Sequence, residues 1–187
     1  LQKWVLGGSL SIQGLGALVL FFRFLPEYGA ATAAWWGIFH SVSAFCNAGF
    51  DVFGSVAHGA SLITFQSDPV VCITLMLLIS VGGLGFFVWE EVIRVRSFKK
   101  LSVYTRLVLI SSAVLTVGGA ALILLLEWNN PETLGHMGIG DKLLNSFFQS
   151  VTLRTAGFAA VDQAGLTEAG KGVSIALMLV GPKPRVS

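Results

Sequence analysis

Charge is what this sequence has least of. Asp, Glu, Lys and Arg together make up 12% of the 187 residues, about half of the ~25% usual in globular domains. Hydrophobic residues make up 54%, and the mean hydropathy is +0.77. That leaves too little polar surface to clothe a soluble domain, so the class is a polytopic membrane protein in contact with lipid. Cysteine is also scarce. Cys46 and Cys72 form no C-x-x-C pair and no His/Cys metal spacing, which argues against a disulfide framework and a zinc module. Both read as unpaired packing thiols. There is no initiator Met, and no charged flank with a small-residue cleavage site. The chain opens inside an apolar run and is expected to be a piece of a longer protein. The basic residues sit between hydrophobic stretches without an interleaved recognition element, so no nucleic-acid partner is expected.

What is there is a set of long apolar runs with turns between them. Residues 4–25 form the first run; its 22 residues rise ~33 Å at ~1.5 Å each, enough for a hydrocarbon core of ~30 Å. Arg23 near its far end can snorkel to the interface. Residues 26–29 read as a turn, and 30–45 as a helix that dips into the membrane without crossing, with Trp35 and Trp36 suited to an interface. Asp68-Pro69 is a helix start, with Asp as N-cap and Pro at the first position. Residues 70–89 form a second span, in which VGGLG at 81–85 favours close packing or a local bend. Residues 107–126 form a third, closed by Glu127 and Trp128. Asp141 is the expected N-cap of a second re-entrant helix, 142–153. A last apolar run, 172–180, is too short to cross.

Basic residues mark sidedness. Arg94, Arg96, Lys99, Lys100 and Arg106 crowd one short connection, whereas residues 26–68 contain no Lys or Arg. Short basic loops stay cytoplasmic. The expected frame is a multi-pass cell-membrane protein with the 94–106 connection inside and both re-entrant loops entering from outside.

Those two loops are related. FHSVSAFCNAGFDVFG at 39–54 and FFQSVTLRTAGFAAVD at 147–162 align at an offset of 108 residues, which pairs Phe39, Ala48, Gly49 and Phe50 with Phe147, Ala156, Gly157 and Phe158. Non-helical backbone at membrane depth is tolerated only where it is buried or lines a watery cavity. Two such stretches in parallel tandem units point to one shared cavity. A dehydrating cation needs replacement oxygens, which backbone carbonyls supply. Aiming successive carbonyls one way needs unusual φ/ψ, which glycine adopts cheaply. Helices that end at the cavity present their partly negative C-termini to a cation. The bland alternative is a pair of ordinary turns between interfacial helices.

FHSVSAFCNAGFDVFG resembles the second pore loop of the Trk/Ktr/HKT potassium transporter superfamily, most nearly the membrane subunit of bacterial Ktr systems. SVTLRTAGF resembles the third pore loop, and SVGGLGFFVWEEV the end of the intervening inner helix. The resemblance implies an all-α membrane protein of tandem outer helix–pore loop–inner helix units around a pseudo-fourfold cation pore, incomplete here. Residues 1–94 would be the second unit, 95–106 a cytoplasmic connection, 107–181 a truncated third unit and 182–187 an atypical tail. The implied filter residues are Asn47, Ala48, Gly49 and Phe50, with Thr155, Ala156, Gly157 and Phe158. They would hold K+ through backbone carbonyls, with Asp51 and Arg154 at the outer vestibule. The family implies potassium uptake, Na+ as a coupling ion, a homodimer and a cytosolic nucleotide-binding regulatory subunit, with no covalently bound cofactor. Two departures stand out. Cys46 replaces a common Asn, and PKPRVS replaces the gate loop expected after IALMLVG.

Other residues carry simpler readings. Asp51 also reads as a loop-capping carboxylate, His40 as a packing or hydrogen-bonding residue, and His58 and His136 as loop residues. An intramembrane hydrolase would have only Ser41 or Ser43 with His40, too close in sequence to face one another on a helix, and there is no G-x-S-x-G elbow; no enzyme is expected. A non-conducting fragment or membrane scaffold remains the rival reading.

Overall fold

The computed structural model describes residues 2–53, 61–154 and 156–180, with side chains from Val5 onward. All regular structure among these residues is helical: α1 (Gln2–Phe45), α2 (Pro69–Leu84), α3 (Phe86–Val95), α4 (Val103–Glu127), α5 (Ile139–Thr152) and α6 (Glu168–Val180), with short 3-10 turns at Ser61–Phe65 and Phe98–Lys100. Among the described residues, two helices are long and apolar enough to cross a membrane, α1 from Val5 and α4; counting the bent α2–α3 pair as one span makes three. Leu10, Leu15, Phe22, Val114 and Leu125 are all exposed, as side chains that face lipid are.

α1 is two limbs. Pro26 lies inside the helix, and the break falls at Gly29, with φ 76° and ψ 165°. The turn expected over 26–29 is therefore narrower: proline's fixed φ suits a helix, and its missing N–H removes one bond. The limb 30–45 folds back along 2–28, and Ser41 Oγ donates to the Gln13 carbonyl at 2.6 Å. Edge-to-face aromatic contacts lock the hairpin. Trp36 meets Phe24 at 5.7 Å and Phe53 at 5.0 Å.

α2 starts where the sequence placed it. Asp68 accepts from the Val70 and Val71 amides at 3.0 and 3.2 Å, with Pro69 first in the helix. Arg23 pairs with Asp68 at 2.5 Å, tying the first limb to this start. α2 then runs beside the end of the re-entrant limb. A Cβ on Gly82 would stand 1.9 Å from the Phe45 carbonyl oxygen, so only glycine permits this approach.

The second span takes the local bend that VGGLG allows. Residues 70–89 do not form one straight helix; it breaks at Gly85 (φ 85°), and α3 leaves at 94° to α2. A 16-residue α2 rises only ~24 Å. Glu90, Glu91 and Arg94 lie within α3, so the helix runs past Trp89 into the connection expected from residue 94. Glu91 accepts from the Ser102 amide and hydroxyl at 2.6 and 2.7 Å and from the Thr105 hydroxyl. That bracket fixes the start of α4, which includes Arg106.

The second half repeats the pattern with earlier helix starts. α5 begins at Ile139 with Gly138 at its N-cap, so Asp141 lies in the first turn. Its carboxylate instead accepts from Ser67 Oγ at 3.1 Å. α6 begins at Glu168, four residues before the expected run, because the Thr167 hydroxyl caps the Gly170 amide at 3.0 Å. Its 13 residues rise ~20 Å, short of a crossing. The expectation for 182–187 lies outside the described residues.

Candidate functional site

The 30–45 limb ends by capping its own carbonyls. The Cys46 amide donates to Val42, Asn47 to Ala44 and Ala48 to Ser43, at 2.9, 3.1 and 2.9 Å. Asn47 takes a left-handed φ of 50°, and Gly49 follows at φ 72°. The second loop ends α5 in the same manner. Leu153 donates to Gln149, Arg154 to Val151 and Ala156 to Thr152, at 3.1, 3.3 and 2.9 Å, and Gly157 has φ 82°. Thr155 lies outside the described residues.

These two turns touch. A Cβ on Gly49 would stand 2.4 Å from the Ala156 carbonyl oxygen and 2.8 Å from the Gly157 Cα. A Cβ on Gly157 would stand 3.1 Å from the Gly49 Cα. Residues 108 positions apart in sequence thus meet backbone to backbone, with the C-terminal ends of the 30–45 limb and α5 beside them. A cavity of about 440 Å3 opens next to the contact, lined by Ala48, Ala156, Gly157, Phe158, Gln163 and Met178 among others.

Side chains from both halves hold the turns. His40 is buried and stacked on Phe53 at 4.0 Å. Its Nε2 accepts from the Val52 amide at 3.3 Å, so Nδ1 carries the proton and donates to the Trp36 carbonyl at 2.7 Å. That is the hydrogen-bonding role expected of it. Asp51 accepts from the Phe53 amide at 3.3 Å, a loop-capping bond. In the second loop, Gln149 and Gln163 exchange amide hydrogen bonds at 2.7 and 3.1 Å. The two units are stitched together: the Leu62 amide donates to the Ala159 carbonyl at 3.0 Å, and Asn145 Nδ2 donates to the Gln66 carbonyl at 2.8 Å.

Arg154 finds its partners outside its own loop. Its guanidinium turns to the middle of α4 and donates to Ser112 Oγ at 2.9 Å, the Ser112 carbonyl at 3.3 Å and Thr116 Oγ1 at 2.5 Å. Hydroxyls and a carbonyl on the neighbouring helix suit this long cation, because a half-buried guanidinium needs several acceptors placed at once. Cys46 is exposed and Cys72 buried, both unpaired.

The sequence reading missed Glu127 as anything but a helix end. It is fully buried. Its carboxylate accepts from the Thr167 amide and hydroxyl at 3.0 and 2.6 Å, from Asn130 Nδ2 at 2.6 Å and from the Thr133 hydroxyl at 2.7 Å. The two Thr167 bonds pin the end of α4 to the start of α6, and the other two hold the loop that follows α4. Asn130 and Thr133 follow Glu127 closely in sequence and gave a local signal, whereas Thr167 lies forty positions away and gave none.

Residues 3–185 match the TrkH family of cation transport proteins. The chain is 38% identical to the potassium/sodium uptake protein NtpJ of Enterococcus hirae, over 97% of this chain and 39% of that protein. It is 38% identical to the Ktr system potassium uptake protein B of Bacillus subtilis, over 92% of this chain and 38% of that protein. The protein of that name from Vibrio alginolyticus is 39% identical over 97% of this chain and 39% of its own length. The chain thus spans about two fifths of the length of these curated relatives. Apolar helices of membrane-crossing length and a family match over almost the whole chain agree: this is an all-α membrane protein, and it belongs to the TrkH family of cation transport proteins.

Proposed function

We propose that the chain supplies two adjacent walls of a potassium-conducting path in a Ktr/Trk-type uptake system. The observation that carries this reading is the meeting of Gly49 and Gly157, each at positive φ and each just beyond the C-terminus of a re-entrant helix. Carbonyls of Asn47, Ala48 and Gly49, with those of Thr155, Ala156 and Gly157, replace part of the hydration shell of K+. Phe50 and Phe158 bound the filter. The helix C-termini add a cation-favouring field. Membership of a cation transport family, and relatives named for potassium uptake, support the choice of ion.

The two turns touch, so the ion does not pass between them. It passes beside them, in a space that further loops of the same kind enclose. Residues 1–94 and 107–181 act as neighbouring units around that space. The basic 94–106 connection lies in the cytoplasm and the loops open outward. Homodimerisation, a cytosolic nucleotide-binding regulatory subunit and Na+ as coupling ion complete the proposal. The touching turns also favour the rival reading for the chain taken by itself, which conducts nothing.

The test is growth of an uptake-deficient bacterium on limiting potassium. It uses the full-length transporter carrying Gly49→Ser or Gly157→Ser. Both variants are expected to lose potassium-over-sodium preference. Unchanged growth and unchanged preference in both would remove the filter assignment.

A further inference from the structure

Both loops carry one bond that the alignment of the two copies does not foresee. Ser43 Oγ donates to the Phe50 carbonyl at 2.7 Å, and Thr152 Oγ1 donates to the Phe158 carbonyl at 2.7 Å. Phe50 and Phe158 are equivalent at the offset of 108 residues, but Ser43 and Thr152 are not. Ser43 pairs with Val151, and Ala44 with Thr152. The hydroxyl has moved one position along the helix and changed residue type, yet it finds the matching carbonyl at the same distance.

Two contrasts separate this from incidental packing. Serine and threonine inside helices ordinarily donate backwards to the carbonyl four residues earlier. Ser146, Ser174 and Thr116 do so here. Ser43 and Thr152 reach forward across the turn instead. The phenylalanine rings also differ: Phe50 is 69% exposed and Phe158 only 2% exposed. Ring burial therefore does not dictate where the carbonyls point. Both hydroxyls are buried, so each carbonyl is drawn toward its own re-entrant helix.

We propose that Ser43 and Thr152 are filter-positioning residues, and that the Phe50 and Phe158 carbonyls are anchors rather than ion ligands. This rests on the filter reading above. The clamp closes each turn behind its glycine. It leaves residues 47–49 and 155–157 as the part of each loop whose carbonyls meet the ion. Losing the hydroxyl frees the Phe carbonyl to rotate, and the glycine peptide rotates with it. The effect falls on discrimination between K+ and Na+, because a correctly spaced oxygen set favours the larger ion while a loosened one tolerates both.

The experiment measures potassium and sodium uptake by the full-length transporter, with membrane abundance quantified alongside. Thr152→Val removes the hydroxyl at nearly constant shape, Thr152→Ser keeps it, and Ser43→Ala removes the other; Gly157→Ser serves as the filter control. A lost neutral hydrogen bond predicts a fall in potassium-over-sodium preference of about five- to tenfold for Thr152→Val and Ser43→Ala. Thr152→Ser is expected to stay within about twofold of the parent, since it keeps that bond. Wild-type preference in Thr152→Val and Ser43→Ala, with preference lost in Gly157→Ser, overturns the clamp and leaves the filter. Wild-type preference in all of them overturns the filter reading and the clamp with it. If Thr152→Val fails to reach the membrane, Ser43→Ala decides the matter by the same two outcomes.

Discussion

Replacing Gly49 with alanine should do more damage than replacing Gly157, although the two glycines occupy the same place in the repeat. Both have positive φ, 72° and 82°, so an added Cβ costs roughly 1–2 kcal/mol at either position from backbone strain alone. The surroundings then separate them. At Gly49 the Cβ would lie 2.4 Å from the Ala156 carbonyl oxygen and 2.8 Å from the Gly157 Cα. Both are backbone atoms that cannot swing aside as a side-chain end would. At Gly157 the nearest atom would be the Gly49 Cα at 3.1 Å, a tight contact that a small shift relieves. Overpacking of the first kind adds about 1–3 kcal/mol. If the strain is relieved by displacing the ion-facing carbonyls, Gly157→Ala loses roughly tenfold in potassium-over-sodium preference, and Gly49→Ala about tenfold more. Competitive uptake of potassium against sodium, in cells expressing each variant at matched abundance, reads both. Gly14→Ala is the control, since nothing lies within 4 Å of its Cβ position and its φ is ordinary. Equal losses in the two variants, or a larger loss in Gly157→Ala, would refute the contact geometry on which the reasoning rests.

Three other outcomes follow from the same structure. Gly82→Ala drives a methyl to 1.9 Å from the Phe45 carbonyl oxygen, so membrane abundance and thermal stability of the full-length transporter should both drop; parental values would show that α2 does not pack there. Glu127→Gln presents an amide N–H2 to two of the four donors now held by the carboxylate. It should cost about 1–3 kcal/mol, read as a lower melting temperature in detergent, whereas Glu127→Asp retains part of the stability. A cysteine at Ser97 should resist a membrane-impermeant thiol reagent added to intact cells and react after permeabilisation; labelling from outside would reverse the proposed sidedness.

The loops were legible because their chemistry is local. A glycine suited to positive φ, a short, mildly polar helix before it and a second copy at fixed spacing are all visible in one dimension. The start of α2 was legible for the same reason, since Asp68 and Pro69 act on their own helix. The break at Gly85 was only hinted at by VGGLG. A glycine in an apolar run reads equally as a packing site, as Gly82 is, or as a break, as Gly85 is. The start of α5 was misplaced because the carboxylate that looked like a cap, Asp141, is engaged by Ser67 from the other unit, and that of α6 because the Thr167 hydroxyl caps the Gly170 amide. Arg154 was placed by its neighbours in sequence, whereas its partners lie on α4, about forty positions away. The Ser43 and Thr152 bonds were invisible because the two hydroxyls sit one position out of register. Aligning the copies pairs each with an apolar residue.

In the proposed filter, potassium meets the backbone oxygens around Gly49 and Gly157. Rubidium scatters anomalously and substitutes for potassium, so crystals of the full-length transporter grown in rubidium locate the ion directly. An anomalous peak is expected within coordination distance of carbonyl oxygens in 47–49 and 155–157, with the Phe50 and Phe158 carbonyls turned away from it. Ordered rubidium elsewhere in the membrane region, with those oxygens uncoordinated, would contradict it.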